Sequence, residues 1–218
     1  MGFRRHWTPR YLFDRLRVGL YQRRNMDKPW LTRQAIELLS TMLLPSDLAV
    51  DWGSGRSTCW IARRVKHLTS VEADANWHAR VREMLAEQKI GNVDYRHCPV
   101  PDEEERESEY TRVCESFADQ SLGFALVDGA ARATCALNVL PKIQSGGLLA
   151  IDNINWYLDY PTRSPHSRDG GGPRDSIWAE FEKRVAGWRR IITSTGVTDT
   201  AIWIRPGSAE SDRCTPAT

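Results

Sequence analysis

The stretch Val50-Asp51-Trp52-Gly53-Ser54-Gly55-Arg56-Ser57-Thr58 limits what this chain can fold into more than any other. Leu48 to Trp52 reads as a buried strand, two glycines one residue apart turn the chain, and a helix is predicted from about Ser57. A strand that ends in a glycine turn and opens a helix presents backbone N–H groups to a ligand. Gly53, Ser54, Gly55 and Ser57 are therefore expected in a binding loop. The third glycine of a dinucleotide fingerprint would fall at position 58, which is Thr58, and no Gly-Lys-Ser/Thr of a phosphate loop follows. Asp51 precedes the glycines, and Glu72 ends the next apolar strand, Leu68-Thr69-Ser70-Val71. An acid at that strand tip is placed to accept hydrogen bonds from ribose hydroxyls.

Around this loop, short apolar strands alternate with amphipathic helices. Helices are predicted over Ser57–Val65, Asn76–Gln88, Tyr110–Ala118 and Thr134–Ile143, and strands over Val93–Cys98 and Phe124–Asp128. Gly146-Gly147 is expected to launch a strand from Leu148 to Ile151. This alternation implies an α/β fold, a mostly parallel sheet with helices on both faces. After a predicted helix Ile177–Val185, Arg190–Thr193 and Thr200–Ile204 are joined closely enough by the Gly196 turn to be antiparallel, which makes the last strand antiparallel. Before the sheet, Pro9–Arg24 and the segment after Pro29 have helical spacing and form an N-terminal helical cap over 1–44. The sheet domain is expected over 45–205 with a flexible Pro/Gly/Ser/Arg-rich loop at 160–174, and 206–218 as a frayed tail.

Asp51-Trp52-Gly53-Ser54-Gly55 followed by Val71-Glu72 resembles the first two motifs of class I S-adenosylmethionine-dependent methyltransferases. The resemblance implies a Rossmann-like methyltransferase sheet, and S-adenosylmethionine bound by Asp51, Gly53, Ser54, Gly55, Ser57, Glu72 and Asp128, with Trp77 near the adenine.

Two more strand ends sharpen it. Leu126-Val127-Asp128 and Ala150-Ile151-Asp152-Asn153 each finish an apolar strand on carboxylate or amide oxygen. In open α/β sheets such ends converge on the ligand crevice, and two carboxylates with an amide oxygen suit a hard cation such as magnesium. Val127-Asp128-Gly129 with Asp152-Asn153-Ile154-Asn155-Trp156 is similar to the metal-dependent O-methyltransferases acting on catechols, caffeoyl-CoA or macrolide sugars. That similarity implies Mg2+ held by Asp128, Asp152 and Asn153. The lysine that serves as base in the phenol-methylating members is replaced by Ala131, with Arg132 beside it, and a guanidinium is a poor base. The macrolide-sugar members point to Asp128 itself as base, with His166 as second candidate. Nucleobase N-methyltransferases carry Asn/Asp-Pro-Pro-aromatic where this chain has Asp128-Gly129-Ala130-Ala131, which argues against a base nitrogen as acceptor.

The expected reaction is magnesium-dependent methyl transfer to a hydroxyl of a small acceptor, most readily a sugar or glycoside. Phenol or catechol O-methylation, or a catalytically silent S-adenosylmethionine-binding protein, are the alternatives. The chain carries nine tryptophans, and Trp30 and Trp156 are expected to line the acceptor pocket because indole suits carbohydrate faces. Trp60 and Trp203 are expected in the core.

A net charge of +2 offers no global field for nucleic acid, so neither nucleic acid nor a membrane is expected as partner. Arginine outnumbers lysine 25 to 5, read first as genome composition. Five scattered cysteines without a Cys-x-x-Cys pair suggest reduced thiols and a cytoplasmic location. A homodimer through the cap is a further expectation.

Overall fold

The computed structural model of the chain describes residues 8–100, 108–168 and 170–207. Most of the acidic run from Asp102, almost all of the tail, and Cys214 lie outside these residues.

Seven strands form one sheet: β1 (Leu48–Trp52), β2 (His67–Glu72), β3 (Val93–His97), β4 (Leu122–Val127), β5 (Ile143–Asp152), β6 (Arg189–Ser194) and β7 (Asp199–Ile204). Their spatial order is β3-β2-β1-β4-β5-β7-β6. The first five are parallel to one another, while β7 runs antiparallel to both β5 and β6. The chain therefore has the expected Rossmann-like sheet with an antiparallel edge. The strand order reverses between β1 and β4, so the crevice of the fold opens beside the glycine loop.

Alternate residues of each strand serve opposite faces. Val50, Trp52, Val127, Ile151 and Trp203 pack under α6 (Arg132–Val139) and α7 (Ser176–Arg184), through Cys135, Val139, Trp178 and Phe181. Ala49, Leu126, Ala150 and Ile202 face the other way, against α2 (Arg33–Met42) and α3 (Arg56–Ala62), through Ile36, Leu39, Trp60 and Ile61. Helices on both faces explain why β4 is buried at every position rather than alternately exposed. Trp60 and Trp203 are core residues, as expected. Two further helices lie between β2 and β4: α4 (Ala75–Glu87) and α5 (Glu109–Arg112).

Of the two cap helices, α2 packs a buried face on the sheet, whereas α1 (Pro9–Arg24) touches that core through the half-buried Tyr21. Thr32 caps α2 by accepting from Ala35 N at 3.3 Å, and its own N–H donates to Thr200 Oγ1 at 3.1 Å, tying the cap to β7. Helix α1 begins well, with Thr8 as N-cap and Pro9 in the first turn, yet buries none of its residues.

Three departures from the expected boundaries stand out. The helix predicted over 110–118 is a single turn, α5, followed by a 3-10 turn to Ser116. Helix α6 ends at Val139, because Pro141 cannot continue the ladder, and Ile143 is already strand. Gly146-Gly147 does not launch β5 but lies inside it, at the shift in register between the Leu122 and Phe124 pairings with β4. Gly146 has φ +76°, and a Cβ on Gly147 would lie 3.0 Å from Leu122 O. Both positions need glycine, which is why a pair that reads as a turn is a bulge.

No helix among the described residues is long and apolar enough to cross a membrane. Cys59, Cys98, Cys114 and Cys135 are buried free thiols.

Candidate active site at the carboxyl ends of the strands

The glycine loop is packed against the turn after β4. Gly53 has φ +92°, and a Cβ there would stand 2.7 Å from Gly129 N and 2.8 Å from Asp128 C. Gly129 is equally constrained, since a side chain would collide with the Tyr110 hydroxyl. The two glycines bring β1 and β4 so close that Asp128 abuts the loop.

The loop differs from its expected form in one respect: its N–H groups already have partners inside the chain. Gly53 N donates to Val71 O at 3.0 Å, Ser54 N to Glu72 Oε2 at 3.0 Å, and Gly55 N to Thr58 Oγ1 at 3.0 Å. Glu72 is likewise engaged. Its Oε2 accepts from Ser54 N and from Ser54 Oγ at 2.8 Å, while Oε1 accepts from Ala73 N and Asp74 N, both at 2.9 Å. Four donors match the four lone-pair sites of a carboxylate, so Glu72 first of all shapes the loop. Trp77 lies over the same loop, donating Nε1–H to Ser54 O at 2.7 Å. Ser57 is buried in the first turn of α3.

Asp51 is fully buried. Its Oδ2 accepts from Thr58 Oγ1 at 3.0 Å, but Oδ1 is buried with no hydrogen-bond partner. Burial raises its carboxyl to about 7, against the pull of the Ser70 and Thr58 hydroxyls. An orphaned buried acceptor is costly unless a ligand's donor satisfies it. This atom, together with the loop, fits S-adenosylmethionine, whose amino group is such a donor.

Asp128, Asp152 and Asn153 do come together, but around a side chain of the protein. Arg132, at the start of α6, reaches all three. Its Nη2 donates to Asp128 O at 2.9 Å and lies 3.1 Å from Asp128 Oδ1. Its Nη1 donates to Asp152 O at 2.6 Å and Asn153 Oδ1 at 3.0 Å, and Nε donates to Gly129 O at 2.9 Å. The remaining groups of the cage are also used. Asn153 Nδ2 donates to Thr198 Oγ1 at 2.6 Å, and Asp152 Oδ1 accepts from Thr200 Oγ1 at 2.6 Å.

Magnesium does not fit this arrangement. The guanidinium takes two of the three oxygens a metal would need, and its fixed charge repels a divalent ion from the rest. No cluster of metal-ligating acids, histidines or cysteines is found among the described residues. The structure gives no support to Mg2+ held by Asp128, Asp152 and Asn153; the cation found among them is Arg132. Sequence reasoning considered Arg132 only as a failed base, although its spacing four residues after Asp128 could have signalled an ion pair.

Burial without full pairing moves the two acids upward. Asp152 is pushed to about 8 by burial and by the charge of Asp128, against the Thr200 hydroxyl and Arg132. Burial also raises Asp128, with Arg132 pulling it down. The Asp128 side chain keeps 25% of its surface exposed, so of the two it is the one that a ligand can reach.

The remaining expected residues fall into two places. Trp156, 40% exposed, and His166 meet edge to face at 6.4 Å and line a cavity of about 450 Å3 with Arg168 and Arg174. Tyr157 connects this cavity to the cage, its ring 5.9 Å from the Arg132 guanidinium and 5.5 Å from that of Arg174. Trp30 lies elsewhere, against Arg56 at 5.4 Å, where the cap meets the start of α3.

Residues 50–154 match a family model described as a methyltransferase domain. No curated protein matches the chain in sequence. Among solved structures, a candidate methyltransferase from Streptococcus mutans in complex with SAH is 14% identical with a TM-score of 0.54, over 77% of this chain and 93% of that one. A methyltransferase-like protein from Silicibacter pomeroyi is 18% identical with a TM-score of 0.57, over 83% and 89%. An rRNA methylase from Streptococcus thermophilus is 12% identical with a TM-score of 0.53, over 80% and 95%. The matched stretch begins in β1 and holds the glycine loop, Asp51 and all three of Asp128, Asp152 and Asn153, and the solved structures share the fold of the sheet that carries them.

Proposed function

We propose that this protein methylates a hydroxyl oxygen of a small acceptor, a sugar or glycoside, with Asp128 as the base. The observation that carries the reading is the position of Asp128. Its backbone touches the cofactor loop at Gly53, and its carboxylate is partly exposed beside Arg132.

Asp51, Gly53, Ser54, Gly55 and Trp77 would hold S-adenosylmethionine, with Glu72 keeping the loop in shape. When bound, the cofactor supplies an electrophilic methyl group and departs as the neutral thioether. An alcohol is a weak nucleophile until its proton leaves. The Asp128 carboxylate would accept that proton and leave the acceptor oxygen free to take the methyl group, with the thioether as leaving group. Burial favours this role, since a carboxyl raised above its usual range is the stronger base. Arg132 holds Asp128 to Asn153 across β4 and β5, and so keeps the base in register with the loop. The reading needs no metal for these tasks. Trp156 and His166 are the proposed acceptor wall.

Transfer of labelled methyl to pooled sugars, glycosides and catechols, with magnesium and then with a chelator, tests it. Chelator-insensitive label in a sugar supports the reading. Label confined to catechols moves the acceptor to phenols, and SAH binding without any label would leave a silent cofactor-binding protein.

A further inference from the structure

A second cavity is larger than the one at Trp156. A cleft of about 1310 Å3 runs beneath α1, between that helix, residues 160–163 and the β6–β7 turn. Its two ends lead to the two halves of the site. At one end Gln22 O accepts from Arg56 Nη1 at 3.5 Å, where α3 leaves the glycine loop. At the other, Thr195 and Gly196 line the cleft beside Thr198 and Thr200, the residues that hold Asn153 and Asp152.

The charge of this cleft is one-sided. Arg10, Arg17, Arg24, Arg33, Arg163 and Arg190 line it, against two acids, Asp14 and Asp199. Asp199 is fully buried, and its oxygens accept from Tyr160 at 2.8 Å, Thr162 at 2.5 Å and Ser164 at 2.5 Å. That carboxylate is sheathed in hydroxyls and offers little to neutralise the lumen. Asp14 lies 3.8 Å from Arg10, and Arg33 pairs with Glu37 outside the cleft. Arg17, Arg24, Arg163 and Arg190 make no ion pair among the described residues. Four unpaired guanidiniums around one cavity are self-repelling, and an anion with several oxygens relieves the repulsion through charge-assisted hydrogen bonds.

We infer that the cleft beneath α1 binds the acceptor through a phosphate group, so that the substrate class is a phosphorylated sugar, such as a sugar phosphate or a nucleoside-diphosphate sugar. Phosphate suits the site better than carboxylate, because its oxygens can take forks from several arginines arranged around it. The volume suits a ligand of nucleotide-sugar size and is above that of a typical drug-sized pocket. Between the arginines, Asn25, Gln34 and Ser194 supply neutral hydrogen-bonding groups for hydroxyls. The inference rests on the hydroxyl-acceptor reading above and names the chemistry of the group that anchors that acceptor. The phosphate does not react.

Isothermal titration of the full chain with glucose 1-phosphate and with UDP-glucose, with glucose as the uncharged control, tests this. Arg163 and Arg190 are exposed, and their removal leaves the core untouched. At least one phosphorylated probe should bind more tightly than glucose, and Arg163→Ala/Arg190→Ala should weaken it about ten- to a hundredfold. Equal binding of glucose, no binding of either phosphorylated probe, or an unchanged double variant overturns the inference. The labelled-methyl assay separates the two readings. Phosphate-dependent binding with no methyl transferred to any hydroxyl keeps the cleft and removes the O-methyltransferase reading. Transfer to free sugars, with binding indifferent to phosphate, does the reverse.

Discussion

Arg132 Nη1 donates to Asn153 Oδ1 at 3.0 Å while Nη2 of the same guanidinium lies 3.1 Å from Asp128 Oδ1, so one side chain ties the end of β4 to the end of β5. Arg132 is 88% shielded from solvent and Asp128 three-quarters shielded, which places the pair between a surface bridge and a fully buried one. Arg132→Ala should destabilise the fold by about 2–3 kcal/mol, read by denaturant unfolding. Arg132→Lys should recover little of this, because one ammonium cannot serve five acceptors on two loops.

The same variant tests the cation assignment. Wild-type protein should show no saturable Mn2+ binding by electron paramagnetic resonance, and its methyl transfer should survive a chelator. Arg132→Ala frees Asp128 Oδ1, Asn153 Oδ1 and the Asp152 carbonyl oxygen and should acquire Mn2+ binding. Tight Mn2+ binding by the wild type would show that the guanidinium yields to a metal.

Asp128→Asn should lower kcat by roughly 10²- to 10⁴-fold, the usual weight of a general base, with SAH affinity nearly unchanged. In the wild type the rate should climb with pH as Asp128 loses its proton, and the midpoint should lie above the ordinary carboxylate range because burial raises that group. Loss of SAH binding together with rate would make Asp128 a cofactor ligand first.

Asp152 sets a pH dependence of stability. The folded chain holds its proton up to about pH 8, whereas the unfolded chain releases it near 3.8. Between those values the folded state binds the extra proton, so stability falls as pH rises and levels off above about 8. The slope is on the order of 1 kcal/mol per pH unit. Asp51, raised to about 7, adds in the same direction over its own window. Asp152→Asn keeps the oxygen that accepts from Thr200 and should flatten the profile, with the gain largest at alkaline pH. Urea unfolding across that range measures it.

Gly53→Ala should be among the most damaging single changes, costing about 2–4 kcal/mol. It combines φ +92° with a Cβ that meets the backbone of Gly129 at 2.7 Å, and neither loop can retreat without breaking the Gly53 N to Val71 O bond. Gly55→Ala is the control. Its Cβ would only touch the Trp77 ring at 3.8 Å, so its effect should appear in SAH affinity more than in melting temperature.

What could be read from the sequence alone was local. The apolar runs at Leu48–Trp52 and Leu68–Glu72, the helical spacing between them and the Gly53/Gly55 turn each depend on neighbours in the chain, and together they determined the α/β sheet and its glycine loop. The acids at positions 51, 72, 128 and 152 were legible as strand ends for the same reason. Their partners were not, because hydrogen bonds and ion pairs are satisfied across the fold. Glu72 meets Ser54 and Asp152 meets Thr200, 18 and 48 residues apart. The oxygen pattern of Asp128, Asp152 and Asn153 read as a metal site because sequence records which donors exist and not which cation lies nearest. Only the tertiary packing, which turns α6 so that Arg132 reaches both strand ends, brings a cation of the protein itself to those oxygens.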